Sequence, residues 1–112
     1  MTTIKVKTWA EVPQNYTGIV EWDDGIKEWY KNGEYHREDG PARIYKEGFN
    51  SWWLDEKFIW HSNRTPLDLT NQIIFSKVQH PDYPTVQIWK ILGPNGLYEQ
   101  VIIPGMEELI IE

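Results

Sequence analysis

The sequence predicts a mainly β fold with one helix: antiparallel stacked β-hairpins in an open twisted sheet, capped by a helix and a C-terminal hairpin. Three observations predict it. Aromatic and β-branched residues crowd into short runs, with seven Trp, six Tyr and three Phe in 112 residues. Turn signals separate those runs, among them Asp24-Gly25, Asn32-Gly33 and Gly48. The runs also recur at a fixed offset of 23 residues.

The offset is read by placing Trp22 over Tyr45. Gly25 then falls on Gly48, Ile26 on Phe49, Trp29 on Trp52, Tyr30 on Trp53 and Tyr35 on Phe58. Each copy reads strand, turn, strand, turn, short strand. In the first, "GIVEW" and "IKEWY" flank "DDG", and Asn32-Gly33 supplies the positive φ angles of a tight hairpin. In the second, "ARIY", "FNSWWL" and "FIW" are the strands, and Asp55-Glu56 stands where Asn32-Gly33 stood.

The elements follow in order. Residues 1–17 form an N-terminal strand and lead-in, and 18–63 the two copies. Residues 64–79 are expected to be a helix. Thr65 suits the N-cap, Pro66 the first helical position and Asp68 the first turn, while Leu67, Asn71, Ile74 and Val78 line one side, widened by Leu69 and Ile73. Residues 80–112 hold a hairpin, "TVQIWKIL" and "LYEQVII" around "GPNG", then "MEELIIE" as a strand or short helix. The whole is expected to be a single domain, its helix and hairpin covering one face of the repeat sheet.

Between the copies lies "HREDGPAR". Its His36, Arg37, Glu38 and Asp39 have the residue types of a catalytic cluster, but Asp39-Gly40-Pro41 is turn chemistry. The segment reads as the corner that passes the chain from one copy to the next. These residues also carry a resemblance. "NGEYHREDGPARIY" resembles the "NGKxHREDGPA" repeats of phage, giant-virus and bacterial proteins, a variant of the MORN repeat, with Trp29-Tyr30, Gly33, His36 and Gly40 at the matching positions. The resemblance spans roughly residues 9–60. It implies stacked hairpins, a role as scaffold or interaction module, in some variants as an antitoxin of a toxin–antitoxin or defence system, and no catalytic residue. The second copy departs from the pattern, reading "IWHSNRTP" where "HREDGPA" is due, with Glu56 in place of Gly33 and Asn63 in place of Gly40.

Composition narrows the function. With no cysteine there are no disulfides and no thiolate metal sites. The net charge is -6 with acids and bases interspersed, so no basic face for nucleic acid is expected. "MTTIKVKTWAEV" has no apolar run of signal-peptide length and no segment approaches about 20 apolar residues, so a cytoplasmic location is expected. His36, His61 and His80 lack the paired spacing of metal ligands, so no metal and no cofactor is expected. The three serines, Ser51, Ser62 and Ser76, lie in no nucleophile motif. Asp23-Asp24, Glu38-Asp39 and Asp55-Glu56 sit at turns, where solvated carboxylates belong.

The expected function is a non-catalytic protein-binding module. Its contact surface would be an exposed aromatic row drawn from Trp29, Tyr30, Trp52 and Trp53, with His36 and Arg37 beside it. Two other classes stand beside this: a small metal-binding protein or hydrolase using the His36/His61 side, and an acidic nucleic-acid mimic. Lys27, Lys31, Arg37, Arg43 and Lys46, scattered among the acids, speak against the mimic. An edge strand also offers a route to self-association.

Overall fold

The computed structural model describes residues 1–112. The chain is mainly β and divides into two compact units, Met1–Arg37 with Pro41–Asn63, and Glu38–Gly40 with Arg64–Glu112.

The first unit is one sheet. Its strands are β1 (Thr3–Val6), β2 (Gly18–Trp22), β3 (Lys27–Lys31), β4 (Glu34–Tyr35), β5 (Arg43–Ile44), β6 (Asn50–Leu54) and β7 (Lys57–His61). They are ordered β1-β2-β3-β5-β6-β7, with β4 also on β3. Every pairing is antiparallel except β1 with β2. The link from β1 to β2 contains a single 3-10 turn at Trp9–Glu11, where Glu11 accepts the N–H groups of Lys7 and Thr8.

The 23-residue offset is realised in the backbone. β3 and β6 begin and end at equivalent residues. The loop before each is closed alike: Gly25 N–H donates to Trp22 O at 3.0 Å and Gly48 N–H to Tyr45 O at 2.9 Å. The turn after each has both central residues at positive φ, 51° and 79° for Asn32 and Gly33, and 47° and 67° for Asp55 and Glu56. This is the hairpin turn whose twist matches the strands. Glu56 therefore adopts the conformation Gly33 adopts without a Cβ, at a cost of about 1–2 kcal/mol. A hydrogen bond partly offsets it, since the Glu56 carboxylate accepts the Tyr35 N–H at 2.7 Å.

The second unit contains β8 (Leu67–Asp68), β9 (Ile73–Gln79), β10 (Gln87–Gly93), β11 (Gly96–Ile102) and β12 (Ile110–Ile111). β9, β10 and β11 form an antiparallel sheet with β10 in the centre, and β12 pairs parallel with β8. The expected C-terminal hairpin is β10–β11, turning at Pro94-Asn95. "MEELIIE" is both of its alternatives in succession, a 3-10 turn at Met106–Leu109 and then β12.

The helix expected over 64–79 does not form. Asp68, expected in a first helical turn, instead closes a local turn by accepting the Thr70 N–H at 3.0 Å and the Thr70 hydroxyl at 2.7 Å. Gln72 N–H then donates to Leu69 O, and Leu69 is buried. Beyond it Ile73, Ile74, Phe75 and Val78 are β-branched or aromatic, lose side-chain freedom in a helix and gain cross-strand neighbours in a sheet. The apolar spacing fitted both periods, and pairing with β10 decided between them.

Candidate functional site

Strand alternation gives the repeat sheet two unlike faces. One carries Trp29, Ala42, Trp52, Leu54 and Trp60, all buried. The other carries Trp22, Glu28, Tyr30, Arg43, Ser51 and Trp53, and the candidate site lies on it.

At its centre Glu28 is 2% exposed. Its Oε1 accepts from Trp22 Nε1 and from the Tyr30 hydroxyl, both at 2.8 Å. Its Oε2 accepts from Arg43 Nε at 2.9 Å and from the Tyr35 hydroxyl at 3.3 Å. Four donors thus surround one carboxylate, which is how a buried charge is tolerated. Burial, followed by the Glu28 carboxylate, pushes the Tyr30 phenol far above its ordinary pKa; the same two causes raise Tyr35. One repeat on, Ser51 occupies the place of Glu28 and is 1% exposed. Its hydroxyl accepts Trp53 Nε1 at 2.9 Å, as Glu28 accepts Tyr30. The two copies bury a polar anchor at the same position and tie the ring two residues later to it.

Rings spread from this centre in an unbroken row. Trp9 stands edge-on to Trp22 at 5.3 Å and to Tyr30 at 6.1 Å. Tyr30 meets Tyr35 at 5.1 Å, Tyr35 meets Trp53 at 5.2 Å, and Trp53 meets Phe58 at 5.4 Å. Arg43 lies over Tyr35 and Tyr45, 5.0 and 4.9 Å from the ring centres. The two ends of the row reach solvent, with Trp9 60% and Phe58 44% exposed. Trp22, Tyr35 and Trp53 between them are half-buried. Beside Trp9 a shallow recess is lined by Pro13, Asn15, Tyr16 and Tyr30.

The residues expected from sequence are distributed otherwise. Trp29, Tyr30 and Trp52 are buried, so they do not form the exposed row expected of them; Trp53 alone of the four keeps partial solvent contact. The reason is alternation: Trp29 and Trp52 face the side opposite Tyr30 and Trp53, and Tyr30 is held down by Glu28. His36 is 7% exposed and serves the corner, its Nδ1 accepting the Asp55 N–H at 2.9 Å, with the Asp55 carboxylate 3.3 Å away. Arg37 lays its guanidinium 3.9 Å from the Trp29 ring centre and donates to Pro41 O at 3.0 Å. His61 Nδ1 accepts the Asn63 N–H, and His80 Nδ1 the Asp82 N–H. No three of the His, Asp and Glu side chains gather as a metal ion requires.

Sequence reasoning missed Glu28, Arg43, Tyr35, Phe58 and Trp9 as parts of one surface. Glu28 did leave a signal. It is a carboxylate directly preceding the Trp29-Tyr30 pair inside a strand, and its partner under the offset, Ser51, is also polar and precedes Trp52-Trp53. No protein-family model matches the chain, and no curated protein or solved structure matches it either.

Proposed function

We propose that the protein is a non-catalytic protein-interaction module, acting in the cytoplasm, that binds its partner through the ring-bearing face of the repeat sheet. One observation carries this reading: a continuous row from Trp9 to Phe58 is open to solvent at both ends and fixed from beneath by the Glu28–Arg43 pair. Rigid aromatic side chains lose little entropy on contact and, together with Arg, dominate binding hot spots. The rings meet one another at steep angles, 56° for Tyr35 with Trp53 and 74° for Trp53 with Phe58. They therefore offer edges and grooves that suit side chains better than the flat stacking of sugars or bases. Glu28 supports binding and not chemistry, because both of its oxygens are already engaged by two donors each. The likeness of "NGEYHREDGPARIY" to MORN-variant interaction repeats agrees with this role.

The test is affinity capture from cell lysate with the intact chain and with Trp9→Ala and Phe58→Ala. Both side chains are largely exposed, so the fold survives each change. Capture that falls at least about tenfold in one or both variants supports the reading, the usual effect of truncating an aromatic hot spot. Partners retained in full by the doubly substituted chain would refute it.

A further inference from the structure

The sheet of the second unit has one face too many that is apolar. On one side, cross-strand rows Ile74–Ile91–Tyr98 and Lys77–Trp89–Gln100 include the buried Ile91 and Trp89. Lys77 spans that side, 4.0 Å above the Trp89 ring and 3.1 Å from Glu112. On the other side lie three rows: Ile73–Leu92–Leu97, Ser76–Lys90–Glu99 and Val78–Ile88–Val101. Antiparallel sheets with one covered face ordinarily turn polar residues outward. Here six aliphatic side chains point outward, and Ile73, Val78 and Leu97 are 58%, 52% and 62% exposed. Two apolar rows thus flank a charged one, and apolar surface exposed on this scale marks an interaction site.

We propose that this face packs against the same face of a second copy of the chain, about a two-fold axis running along the strands between β10 and β11. The charges select both occupant and axis. Lys90 and Glu99 are cross-strand neighbours at the middle of the face, both exposed. A two-fold between their strands sets each Lys90 over the partner's Glu99, Leu92 over the partner's Leu97 and Ile88 over the partner's Val101. Ile73 and Val78 fall at the rim. An axis along β10 would instead oppose the two Lys90 side chains, and an axis across the strands would oppose like charges in both columns. A patch complementary to itself under one rotation is what a symmetric dimer requires. Sheets meet face to face about 10 Å apart, a distance these side chains span. The edge of β9 is a poorer route, because its ladder is interrupted by a bulge at Phe75, a feature that blunts strand edges.

The experiment is sedimentation velocity on the full chain from about micromolar to millimolar, with circular dichroism as a check on folding. The wild type sediments as a dimer. Lys90→Glu and Glu99→Lys each raise the dimer dissociation constant about tenfold or more, as opposed interfacial charges do. An equimolar mixture of the two variants dimerises again, since every contact in the mixed pair once more joins an ammonium to a carboxylate. Repulsion within each variant's own hairpin is untouched by mixing, so recovery isolates the intermolecular pair. Leu97→Ser, at a largely exposed site, weakens dimerisation without unfolding the chain. A wild type that stays monomeric throughout overturns the proposal. So does a dimer indifferent to both charge reversals, or a mixture that fails to recover.

Discussion

Glu28→Gln is the sharpest probe of the repeat sheet. The change preserves shape and removes one acceptor oxygen. Each oxygen of Glu28 serves two donors, Trp22 and Tyr30 on one, Arg43 and Tyr35 on the other. Whichever way the amide turns, its NH2 confronts two donors and leaves them without an acceptor. A buried donor so stranded costs about 1–3 kcal/mol. Breaking a buried ion pair costs about 3–5 kcal/mol by the same logic, less where water reaches the remaining charge. Arg43 keeps 24% of its side chain in solvent, so the expected loss is about 3 kcal/mol. For a chain of this length about 4 °C of Tm accompanies each kcal/mol, giving a fall of roughly 12 °C. Thermal unfolding followed by tryptophan fluorescence reads it directly. A double-mutant cycle with Arg43→Gln should return a coupling energy of about 1 kcal/mol or more. A fall of less than about 4 °C would refute the claim that this carboxylate organises the face.

Tyr30 and Tyr35 have raised folded-state pKa values, so the unfolded chain gives up their protons first, and stability is present below about pH 10 and lost as pH rises beyond it. An alkaline titration of stability should show that loss, and Tyr30→Phe should make it shallower; equal slopes would contradict the burial argument. Gly18→Ala should destabilise by about 3 kcal/mol, since a Cβ there would lie 2.6 Å from Thr2 O and 2.5 Å from Tyr16 Oη at a φ of +149°. Gly48→Ala meets nothing within 4 Å and should cost only the backbone term, about 1 kcal/mol, both read by urea unfolding.

The repeat was legible because it is written in turns. Gly25 and Gly48 have positive φ, a region few other residues adopt readily, and they announced equivalent loops. The corner at His36–Arg43 was legible from its Asp39-Gly40-Pro41 turn residues, although Gly40 does not adopt a positive φ there. What was not legible depended on partners far along the chain. Residues 73–79 fit an amphipathic helix as well as a strand, and only the ladder to β10 distinguishes them. The aromatic row was misassigned because sequence shows that alternate residues part company but not which side is covered. Trp29 and Tyr30 are adjacent and look alike as candidates, yet one faces the Arg37 guanidinium and the other the Glu28 carboxylate.

The two copies share a scaffold and differ at its centre, and the difference bears on function. Copy one places a carboxylate, two phenols and an indole at the anchor and draws in Arg43 from copy two; the anchor of copy two is a serine that holds one indole. Both arrangements satisfy every buried polar side-chain atom they contain. The scaffold therefore demands only that something polar at this position hold the next ring two residues on. A charge exceeds that demand, because burying one is costly and a hydroxyl suffices one repeat later. What the charge adds is a hold on Arg43, its direct cross-strand partner on β5, which lies against Tyr35 and Tyr45 with part of its side chain in water. Its contacts with the two rings add cation–π attraction to the ion pair. In the binding role proposed above, a guanidinium fixed in place by a buried carboxylate would present its remaining donors to a partner in a preset direction.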